Sequence, residues 1–195
     1  RTITINPVND APILDLDSTV AGTGFATSYT ENAAGVAITS AAGTSVIDVD
    51  NTNMASATVV ITNGQAGDIL AMASTLPGNI TVSYNAATFT LTLTGSDTKA
   101  NYQSYLAQVR YSSTSDNPTN GGTVTSRSIN VTVSDGALNS NTAVATVAVT
   151  AVNDAPVNTI PVGWTTNEDT SVALTGLAVT DLDAASGTIT VRLSV

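Results

Sequence analysis

The sequence predicts an all-β protein, a Greek-key β-sandwich with one short helical turn. The 195-residue chain is 42% hydrophobic, enough for a core, but only 10% charged, and Thr, Ser, Ala and Asn make up much of the rest. Such a composition favours strands and turns over helices. Several windows also alternate apolar and polar residues with a period of two, which is typical of half-buried strands.

Three segments show this alternation most clearly. The residues that should face the core are Phe89, Leu91 and Leu93 in TFTLTLT, Ile129, Val131 and Val133 in SINVTVSDG, and Val147 and Val149 in ATVAVTAV. Further strands are expected near residues 57–63, 80–84 and 107–112, and turn-forming strings such as LPGN and DNPTNGG separate them. Seven or more short strands with this spacing predict a sandwich.

One segment, SDTKANYQSYLAQ, has a helical pattern. Ser96 or Asp97 is the expected N-cap, because short polar side chains can accept hydrogen bonds from the first free backbone N–H groups. Tyr102 and Leu106 are four positions apart and therefore lie on one face. We expect that face to pack on the core.

The string VNDAP occurs twice, at residues 8–12 and 152–156. The acidic residues that follow the two copies align as pairs: Glu31 with Glu168, Asp48 with Asp181, and Asp50 with Asp183. The gaps differ, with 17 residues from Glu31 to Asp48 and 13 from Glu168 to Asp181, but recurrence of the strings in the same order indicates a tandem repeat.

The repeat predicts four parts. Residues 1–12 would hold the last strand of a preceding repeat and a linker, and residues 13–151 a complete sandwich. Residues 152–156 would form a second linker, and residues 157–195 the opening strands of an incomplete following repeat.

Charge and composition exclude several functions. The net charge is −10, from fifteen acidic and five scattered basic residues, which repels nucleic acid. The absence of Cys and His excludes the common zinc and thiolate sites and the Ser-His-Asp triad. Two carboxylates can hydrolyse glycosides, but both Glu residues belong to the repeat pattern. We therefore expect no enzyme activity, and without a run of about 18 apolar residues we expect no membrane insertion.

Most acidic residues lie in a few short strings: ND in the linkers, TEN and NED, DVD and DLD, and SDG. Carboxylates, Asn side chains and backbone carbonyls are the ligands that calcium prefers. Without a cation, acids gathered at a domain junction would repel one another. The simpler interpretation is that Asn, Asp and Pro only form turns there. The same strings in the same order after both linkers favour a calcium site.

Together these strings resemble the cadherin pattern. In that pattern Glu-Asn lies between the first and second strands, Asp-x-Asp follows the second strand, SDG precedes the last strand and Asn-Asp ends the domain. Nearly the whole chain is similar to the cadherin-like tandem repeats of giant bacterial surface adhesins of the repeats-in-toxin type. Its most specific part is ANYQSYLAQVRYSSTSDNP. The chain differs from animal cadherins in lacking an Asp-Arg-Glu string.

This resemblance implies calcium ions at two junctions. The upstream site would use Asn9, Asp10, Asp48, Asp50 and Asp135. The downstream site would use Glu31, Asn153, Asp154, Asp181 and Asp183, with Asp116 or Asp97 as a further ligand. Glu168 would serve a third junction, and for Asp15 and Asp17 a turn role and a local calcium role both remain open.

The resemblance also implies a function. The protein would be a calcium-stiffened extracellular spacer or adhesion repeat of a large bacterial surface protein, secreted or at the cell surface, that projects distal binding domains. Its partners would be the neighbouring repeats of the same chain. One alternative is a polysaccharide-binding module, for which Trp164, Tyr102, Tyr105 and Tyr111 are candidate aromatic side chains, although packing in the sandwich is the favoured interpretation. Another is a self-assembling subunit of a calcium-dependent surface layer or filament.

Overall fold

A computed structural model describes residues 1, 3–77, 79–184 and 187–194. Strands dominate the chain, and a single helix interrupts them within the described ranges. In chain order the elements are β1 (Ile13–Asp15), β2 (Phe25–Thr30), β3 (Val36–Ala37), β4 (Ser45–Ile47), β5 (Asn53–Ile61), β6 (Asp68–Met72), β7 (Thr81–Asn85), β8 (Thr90–Thr98), α1 (Lys99–Leu106), β9 (Val109–Ser113), β10 (Ser126–Ser134), β11 (Ala143–Thr150), β12 (Val157–Thr159) and β13 (Ala178–Thr180).

Two sheets of unequal size enclose one hydrophobic core. The larger has the order β2-β11-β10-β5-β8-β7, and the smaller has the order β3-β9-β6. Neighbouring strands are antiparallel except β2 and β11, which are parallel. The predicted fold class, an all-β sandwich with one short helix, is confirmed.

The predicted alternation is confirmed with one exception. The residues that are buried as expected are Leu91, Leu93, Ile129, Val131, Val133, Val147 and Val149, together with Tyr102 and Leu106 of α1. Phe89 also packs against the core but is only partly buried, and it lies in the turn before β8 with a positive φ of 50°. Its ring covers Gly64, where an added Cβ would lie 2.5 Å from a ring carbon. Strand β8 therefore begins one residue after Phe89.

The helix begins one or two residues later than predicted. Thr98 is its N-cap, and the Thr98 hydroxyl accepts a hydrogen bond of 3.2 Å from the backbone N–H of Asn101. The prediction of Ser96 or Asp97 was wrong because β8 continues to pair with β5 as far as Thr98. Tertiary pairing thus overrides the capping preference of the earlier residues.

Two small two-stranded sheets, β1–β4 and β12–β13, share one register. In the first Ile13 pairs with Ile47, and in the second Val157 pairs with Thr180. In both, the residue after the linker proline pairs with the residue before the first Asp of the DxD turn. Each VNDAP linker is therefore brought beside a DxD turn by backbone pairing alone.

The flanking segments differ from the sandwich. Residues 1 and 3–12 lie outside the strands, although the last strand of a preceding repeat was expected there, and Ile3, Ile5 and Val8 are more than 80% exposed. Described residues of 157–194 contribute β12 and β13 and are mostly exposed. No helix within the described ranges has the length and apolar character needed to cross a membrane.

A buried ion pair lies inside the sandwich. Arg127 of β10 donates through Nε to Asp68 Oδ2 at 2.5 Å, and both side chains are 0% exposed. Asp68 also accepts hydrogen bonds from the Tyr111 hydroxyl and the Gln65 backbone, each at 2.7 Å. These partners satisfy a charge that would otherwise be costly to bury.

A pair of glycine substitutions tests the packing of the β7–β8 hairpin. Gly95 has φ of 138°, and an added Cβ would lie 2.1 Å from the Asn79 carbonyl oxygen. Gly22 has φ of 98° with open space around the same position. Gly22→Ala should therefore cost only the backbone strain of about 1–2 kcal/mol. Gly95→Ala should lower the free energy of unfolding by about 1–3 kcal/mol more.

Urea denaturation of both variants measures this difference. Equal losses in Gly95→Ala and Gly22→Ala would contradict the close approach of the two backbones.

Candidate metal centres

The two junctions are built from the same backbone contacts. At the upstream site, where linker 8–12 meets the DVD turn, the Asp10 N–H donates to Asp50 Oδ2 at 3.0 Å. At the downstream site, where linker 152–156 meets the DLD turn, the Asp154 N–H donates to Asp183 Oδ2 at 2.8 Å. The repeated sequence strings thus correspond to a repeated local structure.

Each DxD turn uses one oxygen of its first Asp internally. Asp48 Oδ1 accepts the backbone N–H groups of Asp50 and Asn51, two and three positions onward, at 3.2 and 2.8 Å. Asp181 Oδ1 does the same at 3.3 and 3.0 Å. This is the local hydrogen bonding that makes Asp a turn former. The turn interpretation and the ligand interpretation are therefore compatible, because each carboxylate has a second oxygen.

Glu31 reaches the downstream linker because β2 runs parallel to β11. The two strands end together, with Thr30 paired to Thr150. Glu31 Oε2 then accepts the Val152 N–H at 2.7 Å. Asn32, with φ of 63°, turns the chain away immediately afterwards. Asn tolerates this left-handed conformation better than most residues do, which explains the Glu-Asn string.

Three carboxylates meet at the downstream site. Glu31, Asp116 and Asp154 each offer one oxygen atom, and these atoms lie within 4.8 Å of one another. Two ligands on opposite sides of one calcium ion stand at most about 5.2 Å apart, twice the longest usual Ca–O distance of about 2.6 Å. Glu31 is buried, Asp154 is half-buried and Asp116 is exposed. The dimensions of the cluster fit one calcium ion.

Buried oxygens without a hydrogen-bond partner lie on acidic residues of both junctions. Among the described residues, four buried side-chain polar atoms lack a hydrogen-bond partner: Glu31 Oε1, Asp48 Oδ2, Asp154 Oδ2 and Asp183 Oδ1. All four belong to residues that the sequence predicts as calcium ligands. Buried polar atoms are normally hydrogen-bonded, and an unpaired one calls for a partner such as an ion. The donor set therefore fits a hard divalent cation.

The carboxylates of the downstream site oppose one another electrostatically. Burial, together with the negative charges of Asp116, Asp183 and Asp181, raises the pKa of Asp154. The pKa of Asp183 is lowered, chiefly because its carboxylate accepts the Asp154 N–H. A cation in the cluster would remove the repulsion that raises the pKa of Asp154.

The upstream site is tied together by amides. Asn9 Nδ2 donates to Asp135 Oδ2 at 2.7 Å, and Asn51 Nδ2 donates to Asn9 Oδ1 at 2.7 Å and to Asp135 Oδ2 at 3.2 Å. Hydrogen bonds from the Leu138 backbone and from Asn9 lower the pKa of Asp135. Within the described chain, three carboxylates as close as those downstream are found at the downstream site alone.

Burial opposes ionisation of Asp48, but hydrogen bonds from Asn51 and Asp50 outweigh it and lower its pKa. Lys99, the only lysine in the chain, donates through Nζ to the Asp48 carbonyl at 2.5 Å. The sequence prediction missed both Asn51 and Lys99. Asn51 directly follows the DVD string, so its position was a usable signal, whereas the position of Lys99 depends on where α1 begins.

Other predicted candidates are engaged elsewhere. Asp97 accepts the Tyr105 hydroxyl at 2.5 Å, and this bond, with one from Asn101, lowers the pKa of Asp97 to about 2. Asp15 and Asp17 accept backbone N–H groups two positions onward, which is the turn role. Of the two alternatives Asp116 and Asp97, Asp116 is the one in the three-carboxylate cluster.

Asn153 and Glu168 are the remaining candidates, and the sequence assigns Glu168 to a third junction rather than to the downstream site. Asn153 donates to the Asp154 carbonyl at 2.8 Å, as Asn9 does to the Asp10 carbonyl at 3.1 Å. Glu168 is exposed and lies outside the three-carboxylate cluster.

No protein-family model and no curated protein matches this sequence. The cadherin-like resemblance therefore stays a prediction.

One substitution at the downstream site should stabilise the protein in chelator and destabilise it, relative to wild type, in calcium. In chelator, Asp154→Asn should raise the melting temperature, because it removes one of several repelling charges and supplies an amide donor. With calcium, wild type should gain about 2.7 kcal/mol at a free concentration of 100 Kd, and the variant should gain much less.

Thermal melts in chelator and in excess calcium measure both effects, with Asp15→Asn as the matched control outside the site. An Asp154→Asn variant that is less stable than wild type in chelator, or that responds to calcium as wild type does, would contradict the cluster.

Proposed function

We propose that the chain is a calcium-binding spacer repeat of a large extracellular surface protein, in which calcium holds successive sandwiches in line. The observation that carries this proposal is the set of unpaired buried carboxylate oxygens at the junctions. Three of the four lie at the downstream site, on Glu31, Asp154 and Asp183. These residues come from the sandwich, the linker and the following segment.

The position of these residues explains how an ion would stiffen the junction. Glu31 is fixed to the end of the sandwich by its bond to the Val152 N–H, and Asp183 is fixed to the linker by the Asp154 N–H. An ion bound between Glu31, Asp116 and Asp154 would join the sandwich to the linker. Without it, repulsion among the same groups favours bending of the linker away from the sandwich.

A role at the bacterial surface rests on the sequence resemblance and on the acidic, cysteine-free composition. Calcium is the proposed ion because flexible carboxylate and carbonyl oxygens suit its variable coordination, whereas magnesium demands a near-ideal octahedron. Nearby repeats of the same chain are the proposed partners. A surface layer or filament would use the same junction between repeats.

The polysaccharide-binding alternative has less support. Tyr102, Tyr105 and Tyr111 are at most 5% exposed, so their rings are not available to stack on a sugar. Trp164 is half-buried in the segment before β13. Glycan binding that persists in chelator would favour this alternative over the spacer role.

The spacer role predicts a calcium-dependent length. A protein carrying several copies of residues 8–151 in tandem should be extended and rigid in calcium, and shorter on average in chelator. Small-angle X-ray scattering measures the maximum dimension in both conditions.

The control carries Glu31→Gln and Asp10→Asn in every copy, because Asp10 of each following copy takes the place of Asp154. Its dimension should not respond to calcium. Equal dimensions of the unmodified tandem protein with and without calcium would contradict the proposal.

A further inference from the structure

The loop between β9 and β10, residues 114–125, contacts both the cation cluster and the following segment. It carries Asp116, the third carboxylate of the cluster. The next residue, Asn117, donates through Nδ2 to the Leu182 carbonyl at 2.7 Å. Leu182 lies between the two acids of the DLD turn. We call this segment the Asp116 loop.

The guanidinium of Arg127 holds the Asp116 loop from inside the sandwich. Its Nη2 donates to the Pro118 carbonyl at 2.5 Å, and its Nη1 donates to the Val124 carbonyl at 3.2 Å. These carbonyls lie six positions apart, one in each half of the loop. A planar fork of donors can bridge two such acceptors, whereas a lysine ammonium offers a single point of attachment.

Asp68 fixes the guanidinium in turn. It accepts Arg127 Nε at 2.5 Å and Nη2 at 3.4 Å, and the Tyr111 hydroxyl holds its Oδ1. The first residue of the loop is also held beside Asp68, because the Thr114 N–H donates to the carbonyl of Gly67, the residue before Asp68, at 3.0 Å. The carboxylate, the guanidinium and the loop therefore form one connected network.

Stability alone does not account for this network. Replacing a buried ion pair with apolar residues of similar volume is often neutral or stabilising. The Arg127 side chain is instead oriented toward the backbone of a loop that carries a candidate ligand. Asp116 itself is exposed, so its place beside Glu31 and Asp154 depends on where the backbone of the loop is held.

We propose that Arg127, oriented by Asp68, is a positioning residue of the downstream cation site. It holds the Asp116 loop so that Asp116 faces Glu31 and Asp154, and so that Asn117 reaches the following segment. This inference rests on the proposed function, because it assumes that the cluster binds a cation.

The test compares Arg127→Lys with Arg110→Lys in the full chain. Arg110 on β9 also donates to backbone carbonyls, at 2.8 and 3.1 Å, but lies outside the network of Asp68 and the Asp116 loop. Isothermal titration with calcium chloride measures the affinity, and Glu31→Gln identifies the contribution of the downstream site. Arg127→Lys should weaken calcium binding by about 10- to 100-fold, as loss of an outer-shell partner does. Arg110→Lys should leave it unchanged.

Melting in chelator separates positioning from stability. If Arg127 had only a structural role, Arg127→Lys would lower the melting temperature in chelator and leave the calcium affinity of the folded protein unchanged. That result would overturn the inference. If Arg127→Lys does not fold, Asn117→Ala provides the same test from the loop, and unchanged affinity in that variant would overturn it. Wild type that binds no calcium would instead overturn the proposed function.

Discussion

At the downstream junction, backbone N–H groups hold one carboxylate oxygen of Glu31 and one of Asp183, and the other oxygen of each has no partner. The Val152 N–H binds Glu31, and the Asp154 N–H binds Asp183. These bonds place like charges close together in a partly buried position. Among the described residues the one salt bridge joins Asp68 and Arg127, so no basic side chain balances the cluster. This imbalance is why we propose a cation from solution as the missing component.

The sandwich makes this arrangement by strand pairing rather than by the acids themselves. The parallel pairing of β2 with β11 delivers Glu31 to the linker, and the β12–β13 register delivers the DLD turn to the same place. Arg127, which is buried in the sandwich, holds the Asp116 loop beside them through the Pro118 carbonyl. Three independent parts of the fold thus converge on one small volume. A rigid junction would follow if an ion bound all of them.

Local patterns predicted much of the fold, but they could not predict features that depend on contacts between residues far apart in the sequence. Alternation found the inward faces of β8, β10 and β11, and repeated strings found the acids of both junctions. Asp116 was only one of two alternatives, because no local pattern distinguishes its loop from the corner that holds Asp97. The pair of Asp68 and Arg127 was missed because the residues are 59 positions apart. The Phe89 turn and the Thr98 cap depended on pairing with β5.

The most direct test is a crystal structure of the chain grown in millimolar calcium, with anomalous difference density to identify the ion. We predict a peak between Glu31, Asp116 and Asp154, with Glu31 Oε1 and Asp154 Oδ2 at about 2.3–2.6 Å from it. A well-ordered junction in which those oxygens are separated and contact only water would contradict the central claim.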